Sequence, residues 1–183
     1  MDMDKLQKAG VKRINGDGKF KAAVIVPIVG DIKNNKILFT KRTDWLNEHP
    51  GQVSFPGGRY QREDGNLKKT AVRETTEEIG IDANDIEIIG QLDDCKTITG
   101  YTITPFVAKI PKKEYVRNKN EVAEIFECSV ERLMERNNFE WKECIKEEED
   151  ILLPYFYVQG HIIWGATARI LLQLLENTTE WKS

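Results

Sequence analysis

The stretch Ala22 to Val29, "AAVIVPIV", carries no charged side chain. A short apolar run bounded by turn chemistry reads as a buried strand, and Pro27 within it predicts a position near a sheet edge or a bulge. "DIKNNK" (Asp31 to Lys36) is turn chemistry, and "ILFTKR" (Ile37 to Arg42) is a second strand, so the two runs predict a hairpin. Upstream, "INGDGK" (Ile14 to Lys19) predicts a turn that closes a short N-terminal segment. A long loop follows the hairpin from Thr43 to Gly58, and loops of that length in a compact domain are usually functional or mobile. Asp64 to Gly80 has the strongest helical pattern, with Asp64 as N-cap and Gly80 as the C-terminal stop.

Beyond the helix, Ile86 to Asp93 and Tyr101 to Ile110 read as strands. Glu121 to Val130 reads as a strand leading into a short helix at Val130 to Arg136, and "EEED" (Glu147 to Asp150) as a solvated acidic loop. Pro154 to Gly165 predicts a hairpin turning at Gln159-Gly160, and Ala166 to Glu176 a final amphipathic helix. The expected fold class is α/β (α+β), with a mixed central sheet between helices. The expected organisation is one domain over residues 1–183, with residues 1–20 as an N-terminal extension.

Composition narrows the function classes. With 40% hydrophobic and 31% charged residues, the chain has the balance of an ordinary globular protein. A net charge of −3 argues against broad nucleic-acid or membrane binding, which needs a basic surface. Cys95, Cys128 and Cys144 form no C-x-x-C pair, so reduced thiols in a cytoplasm are the simpler reading than a disulfide framework or a zinc site. No signal-peptide pattern opens the sequence and no apolar run approaches about 18 residues, so a cytoplasmic location is expected.

The helix raises a problem of charge. With Arg73 set at 0°, a rotation of about 100° per residue puts Glu77 near ~40°, Glu74 near ~100° and Glu78 near ~140°. Ala71, Val72, Thr75 and Ile79 fall on the adjoining side, which can dock on a sheet. An Arg73–Glu77 pair contributes only about 0.2–0.5 kcal/mol and leaves the repulsion between Glu74 and Glu78 unexplained. Glutamates near a helix C-terminus also oppose the dipole. Both penalties point to a cation, and a hard divalent ion such as Mg²⁺ takes carboxylate oxygens and shares its shell with substrate phosphates. Just upstream, Gly57 and Gly58 let the backbone approach a ligand or ion without an intervening side chain.

This stretch resembles the Nudix box, G-x5-E-x7-R-E-U-x-E-E-x-G-U, where U is a bulky apolar residue. Gly58, Arg73, Glu74, Glu77, Glu78, Gly80 and Ile81 match it. Two features depart: Thr75 stands at the first U, and the spacing from Gly58 to Arg73 is one residue longer, with Asp64 near the usual first glutamate. The same expansion is found in a subgroup similar to the coenzyme A pyrophosphatases, whose upstream signature is matched by Thr43, Gly51 and Phe55-Pro56-Gly57-Gly58. That signature has arginine where this chain has Asn47, and its leading L-L-T is displaced, with Lys41 in register. Asparagine cannot replace the bidentate grip of arginine on phosphate, and Lys41 and Arg42 are the substitutes at hand, if they are not simply an exposed strand end.

The resemblance implies a Nudix-like α/β/α sandwich and Mg²⁺-dependent hydrolysis of a nucleoside diphosphate linked to another group, with Mn²⁺ able to stand in. For coenzyme A the products would be 3′,5′-ADP and 4′-phosphopantetheine. Another nucleotide substrate, such as ADP-ribose, a dinucleotide or a triphosphate, is the alternative, and a non-catalytic nucleotide-sensing module is a third reading. Arg73, Glu74, Glu77 and Glu78 are the implied catalytic residues. Glu74, Glu77, Glu78 and the Gly58 carbonyl are the implied metal ligands, and Lys41, Arg42, Gly57 and Gly58 are expected to meet substrate. Arg73 is expected to orient a glutamate. Glu78 or Glu77 is a candidate base, with Glu121 and Glu124 as more distant candidates that otherwise read as exposed strand-end residues. The expected partner is a small-molecule nucleotide, with no nucleic acid or membrane; a homodimer is left open. His49 and His161 read as loop and hairpin residues, and Trp164, Ile170, Leu171 and Leu174 as core. Tyr101, Tyr155 and Phe156 could stack an adenine but read better as packing.

Overall fold

The structure, a computed structural model, describes every residue except 9, 15–19, 31–34, 98, 147 and 148. The turns expected around residues 15–19 and 31–34, and the first half of the acidic "EEED" run, lie outside the described residues.

The strand predicted over Ala22 to Val29 is β1 (Lys21–Val29), and it forms the spine of a mixed sheet. It runs antiparallel to β2 (Lys36–Arg42), with Ile28 opposite Ile37, which is the predicted hairpin. It also runs parallel to β7 (Thr102–Ile110) over its whole length. Two short strands lie inside the predicted long loop. β3 (Val53–Ser54) pairs with β2, and β4 (Gly57–Arg59) pairs with β1. β5 (Glu87–Gln91) and β6 (Cys95–Lys96) pair with β7, and β8 (Val122–Ser129) pairs with β2.

Pro27 is therefore in a central strand and not at an edge. It is tolerated because β1 changes antiparallel partner there: β4 covers Ala22 to Val24, β2 begins at Ile28, and the last link on the β4 side runs from Ile25 N–H to Pro56 O at 2.9 Å. The missing N–H of Pro27 falls in the gap between two partners.

Alternation along β1 divides the core in two. Ala23 and Ile25 face one layer with Leu38, Phe106 and Ala108; Val26 and Ile28 face the other with Ile37, Phe39 and Val107. The first layer is closed by α2 (Leu67–Ile79), through Ala71 and Ile79. The second is closed by α4 (Gly165–Thr178), through Ala168, Leu171, Leu174 and Leu175. The short helix α1 (Met3–Lys8) docks on this side as well, with Leu6 buried in the same cluster. The result is the expected sandwich of a mixed sheet between helical layers.

A second, three-stranded sheet joins the α4 layer: β9 (Phe139–Lys146), β10 (Glu149–Val158) and β11 (His161–Ile163). Its β10–β11 turn is the one predicted, with Gln159 at φ 54° and Gly160 at φ 80°, the pair of positive angles a two-residue hairpin needs. β9 was not foreseen, and β10 starts at Glu149 rather than at Pro154. The short α3 (Val130–Leu133) ends three residues before the predicted Arg136. Trp164 is not core: it is 39% exposed at the start of α4. Among the described residues no helix is long and apolar enough to cross a membrane.

Candidate active site

The helix α2 begins later than predicted. Asn66, not Asp64, is its N-cap, accepting from the Lys69 N–H at 3.0 Å, and Gly80 ends it in the left-handed conformation at φ 65°. Asp64 has a different task. It is buried ahead of the helix and accepts hydrogen bonds from Arg73 Nε at 2.7 Å, Arg73 Nη2 at 3.1 Å, Thr70 Oγ1 at 2.8 Å and the Gln61 N–H at 3.1 Å. The hydrogen bond from Arg73 holds its carboxyl well below the usual carboxylate range. Asp64 thus stands where the box has its first glutamate and acts as the anchor of the box arginine.

Arg73 extends that grip. Its Nη2 lies 2.8 Å from Glu74 Oε1, and its Nη1 donates to Glu77 Oε2 at 3.1 Å. One guanidinium is therefore shared by three carboxylates, those of Asp64, Glu74 and Glu77.

The two glycines work by different means. Gly57 lies opposite Val24 at φ 151°, and a Cβ there would come within 2.3 Å of the Ala23 carbonyl oxygen. A side chain at Gly58 would instead meet the Glu74 carboxylate, with its Cδ at 2.4 Å. The bare backbone at Gly58 is what lets Glu74 lie against β4.

These elements surround a cleft of about 410 Å³, whose lining includes Arg42, Gly57, Gly58, Glu74, Glu78 and Glu121. Glu78 is its most buried acid, at 4% exposure, and accepts from the Gly57 N–H at 3.3 Å. Burial pushes its carboxyl up to about 8; the Gly57 N–H and the charge of Arg42 oppose the rise, and Glu74 and Glu121 add to it. Burial also raises Glu74, against the pull of Arg73.

Of the predicted residues, Lys41, Arg73 and Glu77 do not line this cleft. Lys41 pairs across the sheet with Val53 and Glu124 just before a register shift that separates it from Arg42. The Glu77 side chain is 53% exposed beside Arg73. Of the distant glutamates, Glu121 is in the cleft, while Glu124 reaches His161 Nε2 at 3.4 Å. Glu121 is held there by its neighbours: Thr43 N–H donates to its carbonyl at 3.0 Å, and Thr43 Oγ1 donates to the Asn120 carbonyl at 3.3 Å. Glu48, His49, Arg59 and Tyr101 also line the cleft; of these the sequence weighs only Tyr101 for a ligand contact, and favours packing. His49 and Glu48 carried no motif, but the long loop that holds them was a signal.

The donor set fits a hard divalent ion. The carboxylates of Glu74, Glu78 and Glu121 line the cleft together with Gly58, and oxygen is the donor such an ion takes. The buried carboxyl of Glu78, raised to about 8, is a group that a nearby dication would return to its ionised form. Among the described residues, no three acidic, histidine or cysteine side chains already converge as a metal cage.

Fold and cleft together set an acidic helix behind a glycine turn, with carboxylates lining a shared space. The NUDIX domain model matches residues 19–148. The chain is 33% identical to the Nudix hydrolase NudL of Photorhabdus laumondii, over 90% of this chain and 88% of that protein. It is 34% identical to NudL of Enterobacter sp. strain 638, over 84% and 80%. Among solved structures, a MutT/nudix family protein from Enterococcus faecalis superposes with a TM-score of 0.56 at 15% identity, over 86% of this chain and 61% of that one. The Nudix hydrolase RenU from M. smegmatis gives 0.53 at 21% identity, over 69% and 82%. The chain belongs to the Nudix hydrolase family, and acts on a diphosphate-containing substrate.

Proposed function

We propose that this enzyme hydrolyses the diphosphate linkage of coenzyme A or its derivatives, releasing 3′,5′-ADP and 4′-phosphopantetheine, with Mg²⁺ as the metal and Mn²⁺ as a substitute. The observation that supports it is the way the signature residues of the Thr43–Gly58 segment build the cleft. Thr43 is fully buried and fastens the Glu121 backbone, while Phe55, Gly57 and Gly58 form the wall.

In this reading Glu74, Glu78 and the Gly58 carbonyl hold the metal. When bound, it neutralises charge on the diphosphate and acidifies a water. Without such screening, a phosphate oxygen and a carboxylate about 4 Å apart repel by about 4 kcal/mol at an effective dielectric near ~20. Arg73 keeps Glu74 turned toward β4 and is itself fixed by Asp64. Glu77 keeps its place in the proposal through Arg73, whose third contact it supplies. Glu121 takes the proton of the water that attacks phosphorus, as the bridging P–O bond breaks and the leaving phosphate departs. Arg42 supplies the positive charge that the signature places at the position of Asn47, since its charge already reaches Glu78 in the cleft.

Hydrolysis of another nucleoside diphosphate derivative is the second reading. The Nudix domain of Shewanella oneidensis NrtR, solved with ADP ribose, superposes with a TM-score of 0.50 at 17% identity, a likeness of fold. The deciding experiment measures Mg²⁺-dependent turnover of coenzyme A, ADP-ribose and NADH, with products identified by mass spectrometry. Coenzyme A is expected to be cut to the two named products. Turnover of ADP-ribose alone would exclude the coenzyme A reading.

A further inference from the structure

The strand β9 opens with "FEWK", in which aromatic and charged side chains alternate, so the aromatics share one face and the charges the other. It ends the three-stranded sheet: β10 lies on one side of it, and no described strand lies on the other. Its pairing with β10 runs without a shift from Phe139 opposite Phe156 to Lys146 opposite Glu149. A long edge with neither proline nor bulge is one that a second strand can join.

Pro154 fixes which backbone groups are open. It stands opposite Trp141 and has no N–H, so the two cannot exchange the reciprocal bonds of a hydrogen-bonded pair. Bonded and unbonded pairs alternate along an antiparallel ladder. The N–H and C=O groups of Trp141 and Glu143 therefore point away from β10 toward the open edge. The Phe139 carbonyl does the same, while the Phe139 N–H already donates to the Arg136 carbonyl.

The side chains beside this edge are set in place. Trp141 packs edge-on against Phe139, with ring centroids 5.6 Å apart, yet it is 42% exposed. On the other face Lys142 is folded back rather than standing out as a guard on the edge. Its Nζ lies 3.0 Å from Glu140 Oε1, and 5.0 and 5.3 Å from the ring centroids of Tyr155 and Tyr157. Tyr157 Oη donates to Glu140 Oε1 at 2.6 Å.

A second copy of this chain is the partner these positions fit. Two copies of one strand pair antiparallel about a two-fold axis normal to the sheet, which sets each residue opposite one on its own face. Centred on Trp141, the pairing sets Glu140 opposite Lys142 of the second copy, and Lys142 opposite Glu140 of the second copy. Centred on Glu140, Lys142 or Glu143, it sets a charge opposite its like, which is destabilising. The Trp141 register also uses the open backbone: the two copies of Trp141 exchange N–H and C=O, and each Glu143 N–H meets the other copy's Phe139 carbonyl.

We propose that β9 joins its counterpart in a second copy of the chain, in the register centred on Trp141, so that the two small sheets become one continuous sheet. The tryptophans cover one another on one face, and reciprocal Glu140–Lys142 pairs close the other.

Sedimentation velocity on the full chain from about 1 to about 300 μM tests this, since a small edge-to-edge contact dissociates in the micromolar range. The wild type should pass from monomer to dimer across that range. Glu140→Lys and Lys142→Glu each set like charges opposite one another at both ends of the contact, and should weaken the dimer at least about tenfold. The double variant Glu140→Lys/Lys142→Glu restores unlike pairs within and between chains, and should return to within about threefold of wild type. Glu143→Lys, which faces Phe139 in this register, should shift the equilibrium by less than about threefold. Trp141→Lys puts two like charges at the axis and should stay monomeric, which keeps the test decisive where a single reversal unfolds. A wild type that is monomeric throughout would overturn the proposal. So would charge reversals that leave the dimer intact, or a double variant that fails to restore it. None of the substituted residues lines the acidic cleft, so the dimer is judged apart from the catalytic reading.

Discussion

The guanidinium of Arg73 faces both carboxylate oxygens of Asp64, at 2.7 Å from Nε and 3.1 Å from Nη2. The pair joins a short turn ahead of α2 to the middle of that helix, so it fixes the helix and the orientation of Arg73 together. Asp64→Asn keeps the shape and removes the charge. We expect it to cost about 1–3 kcal/mol in chemical denaturation, with a loss of kcat because Glu74 is no longer held by a fixed arginine. The pH dependence follows from the lowered Asp64 carboxyl. Its contribution is present above the unfolded-state value of about 3.9 and is lost as pH falls through the folded one. The wild type should therefore lose stability below about pH 4 more steeply than Asp64→Asn.

Gly58→Ala separates function from folding. The new methyl meets the end of a flexible side chain, Glu74, which can move away. Thermal stability should change little, whereas kcat/KM should fall about a hundredfold, the cost of displacing a reacting group's ligand by about 1 Å. Mn²⁺ affinity, read by electron paramagnetic resonance, should fall with it. Wild-type turnover in this variant would remove Glu74 from the site.

Gly57→Ala should fail in the opposite way. Here the methyl meets backbone, the Ala23 carbonyl and the Val24 Cα, at a φ of 151°. Strain and overpacking together predict a loss of roughly 2–4 kcal/mol, visible as a drop in melting temperature before any assay is run.

Glu78→Gln trades activity for stability. Because burial raises the Glu78 carboxyl to about 8, the folded chain holds a proton between about pH 4.3 and 8 that the unfolded chain has released. The folded state then binds more protons than the unfolded state, so metal-free stability falls as pH rises across this window. Glu78→Gln should remove that slope and be more stable than wild type at pH 8 without metal, by about 1–3 kcal/mol, while losing turnover. A wild-type stability that is flat from pH 5 to pH 8 would contradict the burial of this acid.

Arg42→Ala and Lys41→Ala distinguish neighbouring cations. Arg42 lines the cleft and Lys41 does not. Arg42→Ala should raise KM about tenfold, the loss of one charge-assisted contact. Lys41→Ala should change it by less than about twofold, as for a half-buried charge outside the cleft.

Much of this was readable from residue order, for physical reasons that differ by element. The α2 helix and its glycine turn were legible because the chemistry needs several residue types at fixed spacing, and few other sequences satisfy that. The Gln159-Gly160 hairpin was legible because positive φ angles select their residues. The cap was misread because Asp64 and Asn66 are both good caps, and only the contacts of Arg73 distinguish them. β9 was missed because "FEWKECIK" mixes charges into a strand whose partner, β10, is distant in pattern rather than in sequence. Lys41 looked like Arg42 because a register shift between them has no signature in the chain. Glu121 looked like any acidic strand end, since only the Thr43 and Asn120 contacts bring it to the cleft.

The parallel pairing of β1 with β7 has a consequence for the life of the chain before it is complete. Everything from β2 to β6 is synthesised between the two, so the spine lacks its longest neighbour until translation has passed Ile110, and Glu121 emerges later still. A ribosome stalled earlier would expose an oily central strand and an acidic helix with no cleft to enclose. Competence to bind a dication should thus arrive abruptly once β7 and Glu121 have emerged, and not grow with chain length.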